Sequence, residues 1–401
     1  MRIHRRRVMS FAVVVVLAGC APIPDGSETA PSSESSVASA AAPSRPASAT
    51  PGEESDAFPT GDFAAISEVP VPGDVAARFL AVLDAMAAGG GIAATVMTPD
   101  GTWSGAAGTA DGVHDIEPDS QFGIASGTKP IIAAQVMQLV EAGEISLDAP
   151  ATDYLPADFT FDTNGATIRQ LLSHRSGIPD WYSDAMEERV ATERSRVWEL
   201  DELLALVGAT RRPVGSFEYA DTNYNLLGLV IEHVRQRPLL DVLRDGVLRV
   251  EGTERLIYQP DEAPTDPMAM PRGESRDALE QGGGFLPSMS EASSCGPACA
   301  MASDSISLAR CWRAFCAGEI VSEASLTEMS TFYDGPDKYG LGLIPVDGYA
   351  QAVGHLGANF GYISSAGCLT EDPLIFVVLT NHRTGHGPDL AVPLVMAALS
   401  D

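Results

Sequence analysis

Ser126 and Lys129 stand three residues apart in the stretch Gln121-Phe122-Gly123-Ile124-Ala125-Ser126-Gly127-Thr128-Lys129-Pro130, and this pair can do nucleophilic chemistry. A serine hydroxyl is a weak nucleophile until a neighbouring base takes its proton, and a neutral lysine amine can be that base. Of the 25 lysine and arginine residues in the chain, only Lys129 and Lys338 are lysines. Arginine does not release its proton in a protein, so no arginine could serve as the base here. A Ser-x-x-Lys spacing recurs by chance, and its weight depends on what lies downstream.

Three later stretches add polar groups. Glu218-Tyr219-Ala220-Asp221-Thr222-Asn223-Tyr224-Asn225-Leu226-Leu227-Gly228 offers a tyrosine on a loop before a helix. Gly354-His355-Leu356-Gly357-Ala358-Asn359-Phe360-Gly361-Tyr362 has the look of a glycine-rich strand edge, where Gly357 permits close backbone approach. Leu171-Leu172-Ser173-His174-Arg175-Ser176-Gly177-Ile178-Pro179 is a loop between helical segments, and His174 reads as a packing rather than a catalytic histidine. Trp181 and Tyr182 either line a cleft or cover the core.

These groups need elements to hold them. Ile131, Ile132, Val136, Leu139 and Val140 recur at helical spacing after Pro130, and a proline is tolerated in a first turn, so Ser126 and Lys129 fall one turn apart on one face. Helical patterns also cover Gly73 to Ala88, Ile168 to Leu172, Trp198 to Val207, Tyr224 to Val234, Ser305 to Phe315 and Leu390 to Leu399. Ile92 to Thr98 and Thr102 to Gly108 flank Pro99-Asp100-Gly101 as a hairpin, and Tyr339 to Ile344, Tyr349 to His355, Phe360 to Leu369 and Pro373 to Thr380 read as strands. The pattern predicts an α+β fold: an antiparallel sheet drawn from both ends (about 73–125 and 305–401), flanked by N- and C-terminal helices. An all-helical lobe (about 126–304) is inserted between them, with a cleft where the two lobes meet.

The order Ser-x-x-Lys, Tyr-x-Asp, His-x-Gly, with the fill Gln138-Leu139-Val140-Glu141-Ala142-Gly143-Glu144-Ile145-Ser146-Leu147-Asp148, resembles the serine β-lactamase and penicillin-recognising D-alanyl-D-alanine peptidase family, most of all its class C branch. That family also includes esterases, and the likeness runs from about Gly73 to Asp401. The resemblance implies that Ser126 attacks a carbonyl to form an acyl-enzyme while Lys129 and Tyr219 relay protons. The backbone N–H groups of Ser126 and Ala358 would hold the oxyanion, with Asp221, His355, Gly357, Asn359 and Arg383 about the substrate. No metal or other cofactor is required.

Two departures from the family pattern matter. Asp221 stands where asparagine is common, and a carboxylate near Lys129 favours its charged form, which opposes its use as a base. Leu356 stands where threonine often helps hold a substrate carboxylate; leucine has no hydrogen to donate, leaving a protonated His355 or Arg383 as substitutes.

Residues 1–19 combine a basic start (Arg2, Arg5, Arg6, Arg7) with an apolar run too short to span a bilayer, which is an export signal. Leu17-Ala18-Gly19-Cys20 resembles a bacterial lipoprotein box, implying acylation of Cys20 and anchorage to the outer face of the cell membrane. Residues 20–72 are rich in Ser, Ala, Pro and Glu and read as a tether ahead of one large domain, 73–401. A net charge of −29 excludes a nucleic-acid surface; the expected partner is a small-molecule or peptide acyl substrate, and the expected state a monomer. Cys295, Cys299, Cys311, Cys316 and Cys368 in an exported chain imply a disulfide or two, with connectivity open. Cys295 and Cys299 have no second pair beside them to complete a metal site, and glycines and Pro388 around His382 and His386 argue against a helical metal pair. The reading is an exported, lipid-anchored serine hydrolase, of carboxypeptidase or β-lactamase type first and esterase type second. A catalytically idle binding protein on the same scaffold is the alternative outside enzymes.

Overall fold

The computed structural model describes residues 57–87, 89–333, 337–346, 352–382 and 390–400. Cys20, the export signal, Arg383 and His386 lie outside these.

Helices α1 (Thr60–Ala64) and α2 (Gly73–Met86) precede the hairpin β1 (Gly91–Thr98) and β2 (Gly101–Gly108). Strand β3 (Phe122–Gly123) leads into a 3-10 turn, Ala125–Thr128, and then α3 (Lys129–Glu141). The middle of the chain supplies α4 (Ile168–Leu172), α5 (Asp184–Thr192), α6 (Leu200–Leu204), α7 (Asp221–Arg235), α8 (Leu239–Asp245), β4 (Ile257–Tyr258), α9 (Arg276–Gln281) and α10 (Met289–Cys295). A 3-10 turn at Gly296–Ala298 then leads to β5 (Met301–Ser303). The last part runs through α11 (Ser305–Cys316), α12 (Glu323–Met329), β6 (Ile344–Pro345), β7 (Ala352–Asn359), β8 (Tyr362–Leu369), β9 (Leu374–Thr380) and α13 (Val392–Ala398).

The main sheet is antiparallel with strand order β2-β1-β9-β8-β7-β6, so both chain ends build it. Strand β9 is apolar from Leu374 to Leu379 because it is covered on both faces. Phe376 and Val378 pack toward α2 and α13, while Ile375, Val377 and Leu379 pack toward α11 and the helical lobe. No helix among the described residues is long and apolar enough to cross a membrane.

Three expectations need correction. The tether does not extend to residue 72: Phe58, Phe63 and Ile66 are buried in the core, α1 packs on α11, and Val69 and Val71 bond to Thr102. The inserted lobe is not all helical, since β5 bridges β3 and β4 in a second, three-stranded sheet. Tyr339 to Ile344 forms no long strand. Gly342 takes a left-handed φ of 81°, and only Ile344 and Pro345 pair with β7.

Candidate active site

The turn carrying Ser126 is held from three sides. Thr128 Oγ1 donates to Ala125 O (2.8 Å) and accepts from Met301 N–H of β5 (3.1 Å). Ile124 N–H donates to Met301 O (2.9 Å), and Ser364 Oγ of β8 donates to Ile124 O (2.6 Å). Ala125, just before the serine, has φ 49°, a strained value for a residue with a Cβ. Ser126 itself is half-buried, whereas Lys129 is completely buried.

Lys129 Nζ donates to Ser126 Oγ (3.0 Å), Asp221 Oδ1 (2.7 Å) and Ala298 O (3.0 Å). Burial alone would push the amine's pKa down, but Asp221 and Tyr219 more than offset this and it stays above its usual value. The Tyr219 hydroxyl is turned in to Lys129 and Ser126, although 39 % of the residue's surface remains exposed. Burial of that hydroxyl and the Asp221 charge outweigh Lys129 and raise the tyrosine's pKa, so it holds its proton at neutral pH. The structure thus brings Ser126, Lys129, Tyr219 and Asp221 together.

Asp221 opens α7, whose N-cap residue Ala220 has no side chain able to cap. Two groups from the loop after α4 do so instead. His174 Nδ1 accepts from Ala220 N–H (3.2 Å), and the Asp180 carboxyl lies close to the Asp221 N–H. His174 also stacks on Tyr219 with ring centroids 4.2 Å apart, and burial holds its pKa well below the ordinary value. It is therefore a neutral, packed histidine that positions Tyr219, as a packing role requires. Burial and then Asp221 push Asp180 up to about 7. Trp181 is buried in a small cluster with Met186, Val190, Trp198 and Leu203, and Tyr182 packs half-buried against it.

Strand β7 runs beside the serine turn. A Cβ on Gly357 would sit 2.1 Å from Ile124 O and 3.1 Å from Gly127 N, so glycine is needed for this approach. Asn359 and Tyr362 close a two-residue turn, and alternation along an antiparallel pair then turns the Ala358 N–H away from β8, onto the edge that faces Ser126. Asn359 lies beside the buried carboxyl group of Glu291.

His355 does not fit the role of a protonated substrate contact. It is 5 % exposed, bonds through Nε2 to Tyr339 Oη (2.9 Å), and is held down to about 3 by burial and by Lys129. Cys295 and Cys299 are joined as a disulfide; a cystine has no thiolate for a metal, although Glu291 lies beside it. Cys316 and Cys368 are buried with sulfurs 2.6 Å apart.

Sequence reasoning did not single out Ser364, Thr128, Tyr339 or the Ala298 carbonyl. Their partners are remote in sequence, up to 240 residues for Ser364 and Ile124, and no local pattern marks them.

A model of the Beta-lactamase family matches residues 77–399. The chain belongs to that family. Its α+β fold, with an antiparallel sheet and helices, is the β-lactamase and transpeptidase fold. A D-stereospecific amidohydrolase from Streptomyces sp. superposes with a TM-score of 0.68 at 26 % identity, covering 81 % of this chain and 99 % of that one. D-amino acid amidase from Ochrobactrum anthropi SV3 gives 0.66 at 25 %, covering 80 % and 100 %. Penicillin-binding protein 4 of Amycolatopsis lactamdurans is 34 % identical over 152 residues, 37 % of this chain and 39 % of that one. The chain thus spans about a quarter to two fifths of the length of the curated relatives it matches.

Proposed function

We propose that this member of the Beta-lactamase family is a serine hydrolase that forms an acyl-enzyme on Ser126, and that it prefers small amides or esters whose leaving group bears no carboxylate. In this reading Lys129 takes the Ser126 proton, Tyr219 delivers a proton to the leaving amine or alcohol, and the N–H groups of Ser126 and Ala358 stabilise the oxyanion.

The observation that carries the preference is the pair His355 and Leu356. Leu356 has no hydroxyl, and His355 is buried and neutral, so neither supplies a donor or charge for a terminal carboxylate. The amidohydrolase and amidase likenesses support the same reading. Placement at the outer face of the cell membrane through Cys20 is part of the proposal and rests on the sequence of residues 1–20.

A substrate panel tests it. A p-nitrophenyl ester and a D-amino acid p-nitroanilide should turn over and Ser126→Ala should abolish both, with little release of D-alanine from a peptide ending in D-alanyl-D-alanine. Faster cleavage of that peptide, or acylation by a fluorescent penicillin at comparable rate, would restore the carboxypeptidase or β-lactamase reading; no acyl adduct with any of them would leave a binding protein.

A further inference from the structure

We propose that the disulfide-closed loop Cys295-Gly296-Pro297-Ala298-Cys299 is the device that aims the Lys129 amine at Ser126. The inference rests on Lys129 being the base, and it assigns a positioning role that the nucleophile and base alone do not explain.

An ammonium uses three N–H donors, and Lys129 Nζ has three partners: Ser126 Oγ, Asp221 Oδ1 and Ala298 O. A neutral amine has two N–H groups and one lone pair. A carboxylate and a peptide carbonyl can only accept, so they take the two N–H groups. Of these three partners only Ser126 has a proton to give, so the lone pair is left on the side of Ser126 and of the Tyr219 hydroxyl turned in beside it. Without the Ala298 carbonyl, an N–H is free to turn to Ser126 Oγ and the lone pair turns away.

The loop that presents this carbonyl is fixed at both ends and beneath. The disulfide ties its ends, and Pro297 rests on α7, where a Cβ on Gly228 would sit 2.3 Å from Pro297 Cγ. Gly228 lies about two turns along α7 from Asp221, so one helix sets both acceptors of the amine. Cys299 Sγ lies 3.8 Å from Asp221 Oδ2, and Cys295 Sγ lies 3.4 Å from Glu291 Oε1. Opening the bridge creates two S–H donors, one beside the Glu291 carboxyl and one competing with Lys129 for Asp221. The other ionisable groups around the amine are Tyr219 and Tyr224, His174 and Asp180 from the loop after α4, and His355 from β7.

The test is the acylation rate of a chromogenic ester against pH, normalised to folded protein, in a Cys295→Ala, Cys299→Ala double variant. The rate should fall about 10- to 100-fold at unchanged KM. The acidic limb should move to lower pH, because one acceptor fewer holds the proton on the amine. Gly228→Ala, which pushes Pro297 off its seat with the bridge intact, should shift both in the same direction. Reducing folded wild type with dithiothreitol requires no variant to fold: the reagent becomes a cyclic disulfide, and Cys295 and Cys299 each gain a hydrogen. An unmoved rate and limb after the bridge is opened overturn the proposal. Lys129→Ala alongside separates the layers: if it is inactive, such a result removes only the loop's role, whereas an active Lys129→Ala removes the base assignment beneath it.

Discussion

Lys129 Nζ lies nearer the Asp221 carboxylate, at 2.7 Å, than the Ser126 hydroxyl, at 3.0 Å. The ground state therefore favours the ammonium, and the base form must be won against an ion pair. Deprotonation occurs as pH rises through the amine's raised pKa, so acylation should increase with pH into the alkaline range. Asp221→Asn removes the largest force that holds the proton on and should shift the acidic limb of the rate profile to lower pH. Stopped-flow acylation across pH 6 to 11 checks this, and a limb that stays put rules it out.

Tyr219 keeps its proton at neutral pH and so suits donation to a leaving group. Tyr219→Phe should slow acylation by about 10²- to 10⁴-fold for an amide, the usual range for lost general acid catalysis. A p-nitrophenyl ester, whose leaving group needs no proton, should suffer less. Equal losses on both substrates would assign Tyr219 to the serine's proton instead.

Gly357→Ala places a methyl against Ile124 O and Gly127 N, both backbone atoms that cannot swing aside. The serine turn and β7 should separate, costing about 1–3 kcal/mol of stability by overpacking and about 10²-fold or more in acylation. Thermal melts and single-turnover rates on the folded fraction measure the two effects separately.

Glu291 is a buried carboxyl whose pKa burial, and then Asp221, raise to about 8. Native protein thus binds a proton more tightly than unfolded chain, so this group's contribution is full below the ordinary 4.5 and is lost as pH rises through about 8. Glu291→Gln removes that dependence. The melting temperature of the variant relative to wild type should climb between pH 5 and pH 9, as followed by circular dichroism.

Cys316 at the end of α11 and Cys368 on β8 face each other in the core. In oxidised protein they should be recovered as a second linked pair beside Cys295–Cys299, leaving Cys311 free. Peptide mapping without reductant decides it; alkylation of both thiols after denaturation excludes the link.

The strands and helices with a clear period were legible in the sequence: β8, β9, α3, α4 and α11 lie within a few residues of the periodic runs that announce them. Ser126, Lys129, Tyr219 and Asp221 were legible too, because their motifs are short and ordered along the chain. What escaped depends on remote partners. Tyr339 sits in an apparent strand yet is drawn down among His174, Tyr224 and His355 by aromatic packing. His355 looked like a charged contact because sequence carries no burial; inside the sheet, next to an ammonium, it loses its proton. The three-stranded sheet is made of two- and three-residue strands, too short for any period to show.

Because the serine turn leans on β7 and β8 as well as on β5, and among the described residues β7 and β8 join the N-terminal hairpin through β9, part of the nucleophile's floor comes from 240 residues away, where Ser364 meets Ile124. A chain cut off before β7 keeps Ser126 and Lys129 but lacks the two strands against which the serine turn rests.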